Sequence, residues 1–204
     1  MMARTNKNYE HKKNDILIRI WEVLLQYGYE KMTLPIIIKE LGISRGAFYH
    51  YFQSKEECVD EAVKLFVENA VVEIKAMDNK TLSADVRLKM AVQNSISLFH
   101  QNKEQDRMMN QPENAVFHQK LMIGLTKYLA PYFAEIIEQG VEEKIFCTKY
   151  PLEIAEMLLT LSNFYLDKDL FHWDPETIPY KITAYEELIN KGLGTTDNIG
   201  FFTN

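Results

Sequence analysis

The stretch from Leu41 to Lys55, LGISRGAFYHYFQSK, constrains this chain most, because few folds satisfy its spacing. Gly42 stands where one helix should stop, since the left-handed residue that closes a helix is most readily a glycine. Two residues later Ser44 stands where the next should start, its hydroxyl able to accept a bond from an orphan amide of the first turn. Leu41, Ile43, Phe48 and Phe52 are apolar and share one side. Two short helices joined by a tight glycine turn make a helix-turn-helix, the unit that lays its second helix in the DNA major groove.

A net charge of -6 opposes that reading until charge is taken by region. Residues 1–52 carry 8 Lys and Arg against 5 Asp and Glu, and residues 53–204 carry 15 against 24. A basic head can meet phosphates while an acidic body stays away from the duplex. With 204 residues, 47% of them hydrophobic, the chain can bury a real core. It has no run of about 18 apolar residues, and the polar start lacks the apolar centre of a signal peptide, so no membrane contact and a cytoplasmic location are expected. Cys58 and Cys147 are far apart and outside any CxxC pair, which predicts two free, mostly buried thiols.

The polar segment Met1–Lys13 reads as a frayed terminus, or as an arm that touches DNA. From Asn14, the residues Ile16, Leu17, Ile20, Trp21, Val23, Leu24 and Leu25 recur at helical spacing and stop before Gly28. Thr33 then reads as an N-cap with Pro35 in the first turn of a second helix. Ser54-Lys55-Glu56-Glu57 matches the capping box S-x-x-E, so a fourth helix starts there, and its apolar face runs from Val59 to Ile74. Some six turns, about 35 Å, let it link head to body across a loop at Asp78-Asn79-Lys80. Everything after that is helical in pattern: 82–102, a short polar piece at 103–110, a long helix 115–144 bent at Pro131, then 151–166 and 178–191. Gly192 and Gly194 should end order, with a dangling tail in which Phe201 and Phe202 could dock. The fold class is therefore all-α, with a helix-turn-helix head at 1–53 and a helical body at 54–204.

The residues Gly28-Tyr29, Thr33, Ile37, Leu41-Gly42-Ile43-Ser44, Gly46, Phe48-Tyr49, Tyr51-Phe52, Ser54-Lys55 and Glu56 resemble the signature of TetR-family transcriptional regulators over about residues 14–60. The resemblance implies a homodimer of all-helical chains, each with a DNA-binding head and a ligand-binding and dimerisation body, most often a repressor released by a small molecule. It implies no catalytic residue. Leu34-Pro35-Ile36 departs from the pattern, offering no side-chain donor where the family usually reaches DNA. Ile38 stands where the family prefers alanine, and Ala47 replaces a common threonine or serine.

On this basis the partner is a palindromic double-stranded DNA operator. Its contacts are Thr33, Ser44, Arg45, Gly46, Ala47, Tyr49, His50 and Lys55. Arg45 can bond guanine O6 and N7 together, and Ala47 can meet a thymine methyl. Tyr49 resembles the family's phosphate-binding tyrosine, Tyr51 either does the same or packs on the first helix, and Lys55 opens a helix whose amides suit phosphate. An effector pocket is expected among Phe99, His100, Met108, Met109, Phe117, His118, Leu121, Met122, Tyr128, Phe164 and Tyr165, which mix apolar bulk with polar tips. The helix 151–166 is apolar nearly all round and so needs two partners. One is its own core; the other is a second copy, through Leu152, Ala155, Leu158, Leu159, Ser162, Tyr165, Ile178, Ile182, Tyr185, Leu188 and Ile189. No cofactor is expected. No HExxH or Cys/His spacing supports a metal, and no GxGxxG, P-loop, GxSxG or paired-carboxylate pattern supports an enzyme. The alternative is a helical protein-binding adaptor with a degenerate head.

Overall fold

The computed structural model describes residues 2–100 and 114–202, with side chains from Asn8 onward except those of Phe99, His100 and Asp169. The piece expected at 103–110 lies outside the described residues. Those that are described form two compact units, one drawn from 1–69 and 102–121, the other from 70–101 and 122–204. The division falls inside long helices.

In the first unit, α1 spans Met2–Tyr27 and buries Leu17, Ile20, Trp21, Val23, Leu24 and Leu25. It begins a dozen residues before the apolar pattern does, so the frayed terminus is corrected to helix. Tyr9 gives the extension something to hold: its ring stacks on Tyr51 at 5.1 Å, and His11 pairs with Asp15 one turn along at 3.2 Å. Helix α2, Leu34–Leu41, has Pro35 in its first turn and closes on Gly42 at φ +65°. Arg19 of α1 donates to the carbonyls of Leu41 at 2.8 Å and Glu40 at 2.7 Å, satisfying acceptors that the helix end leaves open. Helix α3, Arg45–Tyr51, buries Phe48, and Phe52 follows it into the same core. Trp21 stacks on Phe66 at 3.8 Å and meets Phe117 edge-on at 4.9 Å.

Helix α4, Lys55–Ala76, starts at the expected place, with Ser54 Oγ accepting from the Glu57 amide at 3.1 Å. The reciprocal half of the capping box differs, because the Glu57 carboxylate accepts from the amide of Gln53 and not from that of Ser54.

The second unit contains α5, Ala84–His100, and the part of α6, Ala115–Glu142, beyond Leu121. Pro131 lies inside α6 on its exposed side, and the helix continues through it. The helix predicted over 151–166 is α-helical only as α7, Pro151–Thr160, and continues as a π turn over Leu161–Tyr165. A short α8, Lys168–Phe171, and a 3-10 turn at Pro175–Thr177 lead to α9, Ile178–Leu193, which ends on Gly194 at φ +67°.

The tail does not dangle. Asn190 binds the backbone of Ile199 at both ends of its amide, accepting at 2.8 Å and donating at 3.0 Å, and Glu186 accepts from the Phe202 amide at 3.0 Å. Phe201 is fully buried beside Tyr185. Burial of Phe201 and Ile199, with Phe202 half-buried, offsets the ordering of a few residues, which glycine punctuation alone does not disclose. Arg87 and Asp78 form an ion pair at 2.5 Å, with side chains 7% and 5% exposed, and Gln139 also binds Arg87. Among the described residues no helix is long and apolar enough to cross a membrane.

Candidate nucleic-acid interface

The first turn of α3 is fixed by Ser44, whose Oγ accepts from the Ala47 amide at 3.1 Å. Its backbone is extended (φ -76°, ψ 159°), so the chain turns into the helix at this residue. Phe48 faces the core and holds the helix down, which leaves Arg45, Gly46, Tyr49 and His50 exposed and Ala47 half-buried. The Arg45 guanidinium lies 5.7 Å from the Tyr49 ring centroid. Tyr49 is 48% exposed, so its hydroxyl end is open to a partner. A short helix with a cationic fork near its start and an exposed phenol one turn later has the form needed to contact base edges and a phosphate.

Thr33 occupies the N-cap position of α2, but its hydroxyl makes no capping bond. The expectation of a side-chain cap is therefore corrected, and the exposed hydroxyl keeps its acceptor and donor for another group. Lys55 is half-buried, with its ammonium 2.5 Å from the Tyr29 carbonyl oxygen and 4.3 Å from the Tyr29 ring centroid. Two donors remain on that ammonium, now held in one place at the start of α4.

Tyr51 packs on α1. Its ring is stacked on Tyr9, and His50 meets the same Tyr9 edge-on at 5.6 Å. Tyr9 and Arg19 are the residues of this face that spacing missed. Neither sits in a motif, and their roles come from partners 42 and 22 residues away in sequence.

Cys58 is buried with its thiol pushed up to about 12, chiefly by burial, and is chemically quiet. Cys147 is exposed, contrary to the expectation of burial.

The described residues among those expected to line an effector pocket fall in both units. Met108, Met109 and the side chains of Phe99 and His100 lie outside the described residues. Phe117 and Leu121 are fully buried in the first unit, where His118 is half-buried. Met122, Phe164 and Tyr165, half-buried, and Tyr128, 37% exposed, belong to the second. A shallow groove in the second unit is lined by Met77, Asp78, Asn79, Arg87, Met90, Ala91, Asn94 and Tyr132, none of them among the residues expected to line a pocket. Among the described residues, Thr126 Oγ1 and Asn163 Nδ2 of this unit are buried with no hydrogen-bond partner. Such atoms are uncommon in a finished core.

Of the residues expected at a dimer contact, Ala155, Leu158, Leu159, Tyr185 and Ile189 are buried within the single chain. The tail takes part of that face, with Phe201 and Phe202 meeting Tyr185 edge-on. Leu152 and Leu188 remain exposed at 42% and 56%, and Ser162, Tyr165, Ile178 and Ile182 are half-buried. Met157, part of the same apolar pattern but not among the residues expected at that contact, is also exposed, as is Tyr180. Among the described residues no group of His, Cys, Asp and Glu is placed to hold a metal ion.

Comparison with known proteins gives the same picture. Residues 16–68 match the family described as bacterial regulatory proteins, tetR family, and residues 97–188 match the tetracyclin repressor-like C-terminal domain. The regulator PksA of Bacillus subtilis is 35% identical over 68 residues, 33% of this chain and 33% of PksA. The repressor KstR2 of Mycobacterium tuberculosis is 24% identical over 153 residues, 71% of this chain and 74% of its own. The chain thus spans about a third of PksA and most of KstR2. Among solved structures, the R. erythropolis repressor QsdR superposes with a TM-score of 0.64 at 17% identity, covering 92% of this chain and 97% of that one.

Proposed function

The chain belongs to the tetR family of bacterial regulatory proteins, and from that premise we propose that it is a ligand-responsive transcriptional regulator, a repressor that binds a palindromic operator as a homodimer. The observation that carries this reading is the Ser44-capped α3, anchored by Phe48, with Arg45, Tyr49 and His50 exposed together. Arg45 reads bases, Ala47 meets a thymine methyl, and Tyr49, Thr33 and Lys55 hold phosphates. The head is residues 1–53 and the effector-binding and dimerising body is 54–204. Repression as the sign of control is supported by the names of relatives such as KstR2.

Exposed Leu152, Met157 and Leu188 on α7 and α9 are the contacts we assign to a second copy. The unpartnered Thr126 and Asn163 are polar handles a small effector would satisfy in the body. The effector releases DNA only if it binds the two states of the protein unequally.

The adaptor reading draws on Leu34-Pro35-Ile36, where the first turn of α2 offers no side-chain donor. Measuring binding to a selected duplex by fluorescence anisotropy separates the two readings. A regulator loses that binding in Arg45→Ala while its unfolding curve stays in place, and an adaptor binds no duplex selectively in either form.

A further inference from the structure

We propose that the corner formed by Trp173 and Tyr165 is a binding site for a quaternary ammonium group, with the Lys181 side chain as its resident stand-in. Trp173 is held firmly. Its Nε1 donates to the Tyr165 carbonyl at 2.9 Å, and the Phe171 ring stacks on it at 4.9 Å and 8°. The Tyr165 ring stands 6.1 Å away at 66°, so the two faces make a corner rather than a stack. Lys181 Nζ sits in it, 3.5 Å from the Trp173 centroid and 5.5 Å from that of Tyr165.

Three further features mark the place. His172, between Phe171 and Trp173 in sequence, is a non-glycine residue at φ +52°, a strained conformation that persists where neighbours hold it. In sequence, residues 167–176 carry Asp167, Asp169, Asp174 and Glu176 against the single Lys168, and such a local field draws cations. The π turn over Leu161–Tyr165, an uncommon feature often found at functional sites, places Tyr165 at the corner.

The chemistry selects the ligand class. An aromatic face attracts any cation, but a lysine ammonium is compact and strongly hydrated, and its three N–H donors seek water. A quaternary ammonium has no donor to satisfy and dehydrates more readily. It therefore displaces Lys181, whose half-buried side chain returns its ammonium to solvent.

The test uses the full chain and stands apart from any DNA binding. Choline and its neutral isostere 3,3-dimethyl-1-butanol are titrated while the indole N–H resonances of Trp21 and Trp173 are followed, with Trp173→Phe assigning them. Choline is expected to shift the Trp173 resonance saturably, about tenfold more tightly than the isostere, and several-fold more tightly still in Lys181→Met, which keeps the apolar stem. Trp173→Leu should lose the binding. Equal affinity for choline and the isostere, no shift in either wild type or Lys181→Met, or choline affinity that Lys181→Met leaves unchanged overturns the proposal.

Discussion

Both units are helical, yet different chemistry holds them. The amino-terminal unit closes its helices with short-range devices, Gly42 and Ser44 at the turn and Ser54 at the start of α4, around a stack of Trp21, Phe66 and Phe117. The carboxy-terminal unit adds polar links between separate segments, 9 to 59 residues apart in sequence. Arg87 joins Asp78 to Gln139, the Ala84 amide donates to Glu143 at 2.9 Å, and Asn190 pins Ile199. A turn whose parts lie within a few residues survives variation around it. A buried ion pair must keep both members, because either alone is an uncompensated charge. The first arrangement suits a surface that must present the same face to DNA, and the second leaves the body's stability exposed to single changes.

The largest effect should come from breaking the body. Arg87→Ala leaves Asp78 buried without its partner, and denaturant unfolding should show a loss of about 3–5 kcal/mol. The same pair predicts an acid limit. The Arg87 guanidinium holds the Asp78 carboxyl below its ordinary range, so the stability it supplies is complete above about pH 4 and is lost as pH falls through the depressed value. A melting temperature that does not fall more steeply in acid for wild type than for a variant lacking the pair would count against this account.

Next in size is Asn190→Ala. It removes both bonds to Ile199 and should cost about 2 kcal/mol, with the backbone amide of residue 199 losing protection in hydrogen exchange. If that amide stays protected, the apolar burial of Phe201 holds the tail by itself.

In the head the effects are smaller in stability and larger in recognition. Ser44→Ala should cost about 1 kcal/mol through loss of the cap. Lys55→Ala should weaken binding to every duplex alike and lower the salt slope by about 1, as expected for one phosphate contact. A sequence-dependent loss in Lys55→Ala would place that residue at a base instead.

The same contrast decides what the sequence discloses. Gly42, Ser44 and Phe48 act through neighbours three or four residues away, so spacing alone places the turn, the cap and the exposed face of α3. Arg19 and Tyr9 do comparable work on α2 and α3, but their targets are remote and their residue types are unremarkable. In the body, an apolar stripe on α7 or α9 predicts burial without saying against what. Tyr185 and Ile189 read as a surface for a second chain, and they are covered within this one. The tail that meets Tyr185 follows two glycines, which mark a turn and are silent about what the chain does afterwards. Asn190 looks like an ordinary polar position until its two bonds to Ile199 are seen.

In the proposed function, α3 presents a base-reading face through Arg45. This is tested most directly by selecting bound duplexes from a random library with wild type and with Arg45→Ala. The account predicts that wild type enriches a palindrome with half-sites about one helical turn apart, and that Arg45→Ala relaxes a guanine in each half-site by about 1–3 kcal/mol. Enrichment of the same palindrome with the same guanine preference by Arg45→Ala, or no enrichment by wild type, would contradict it.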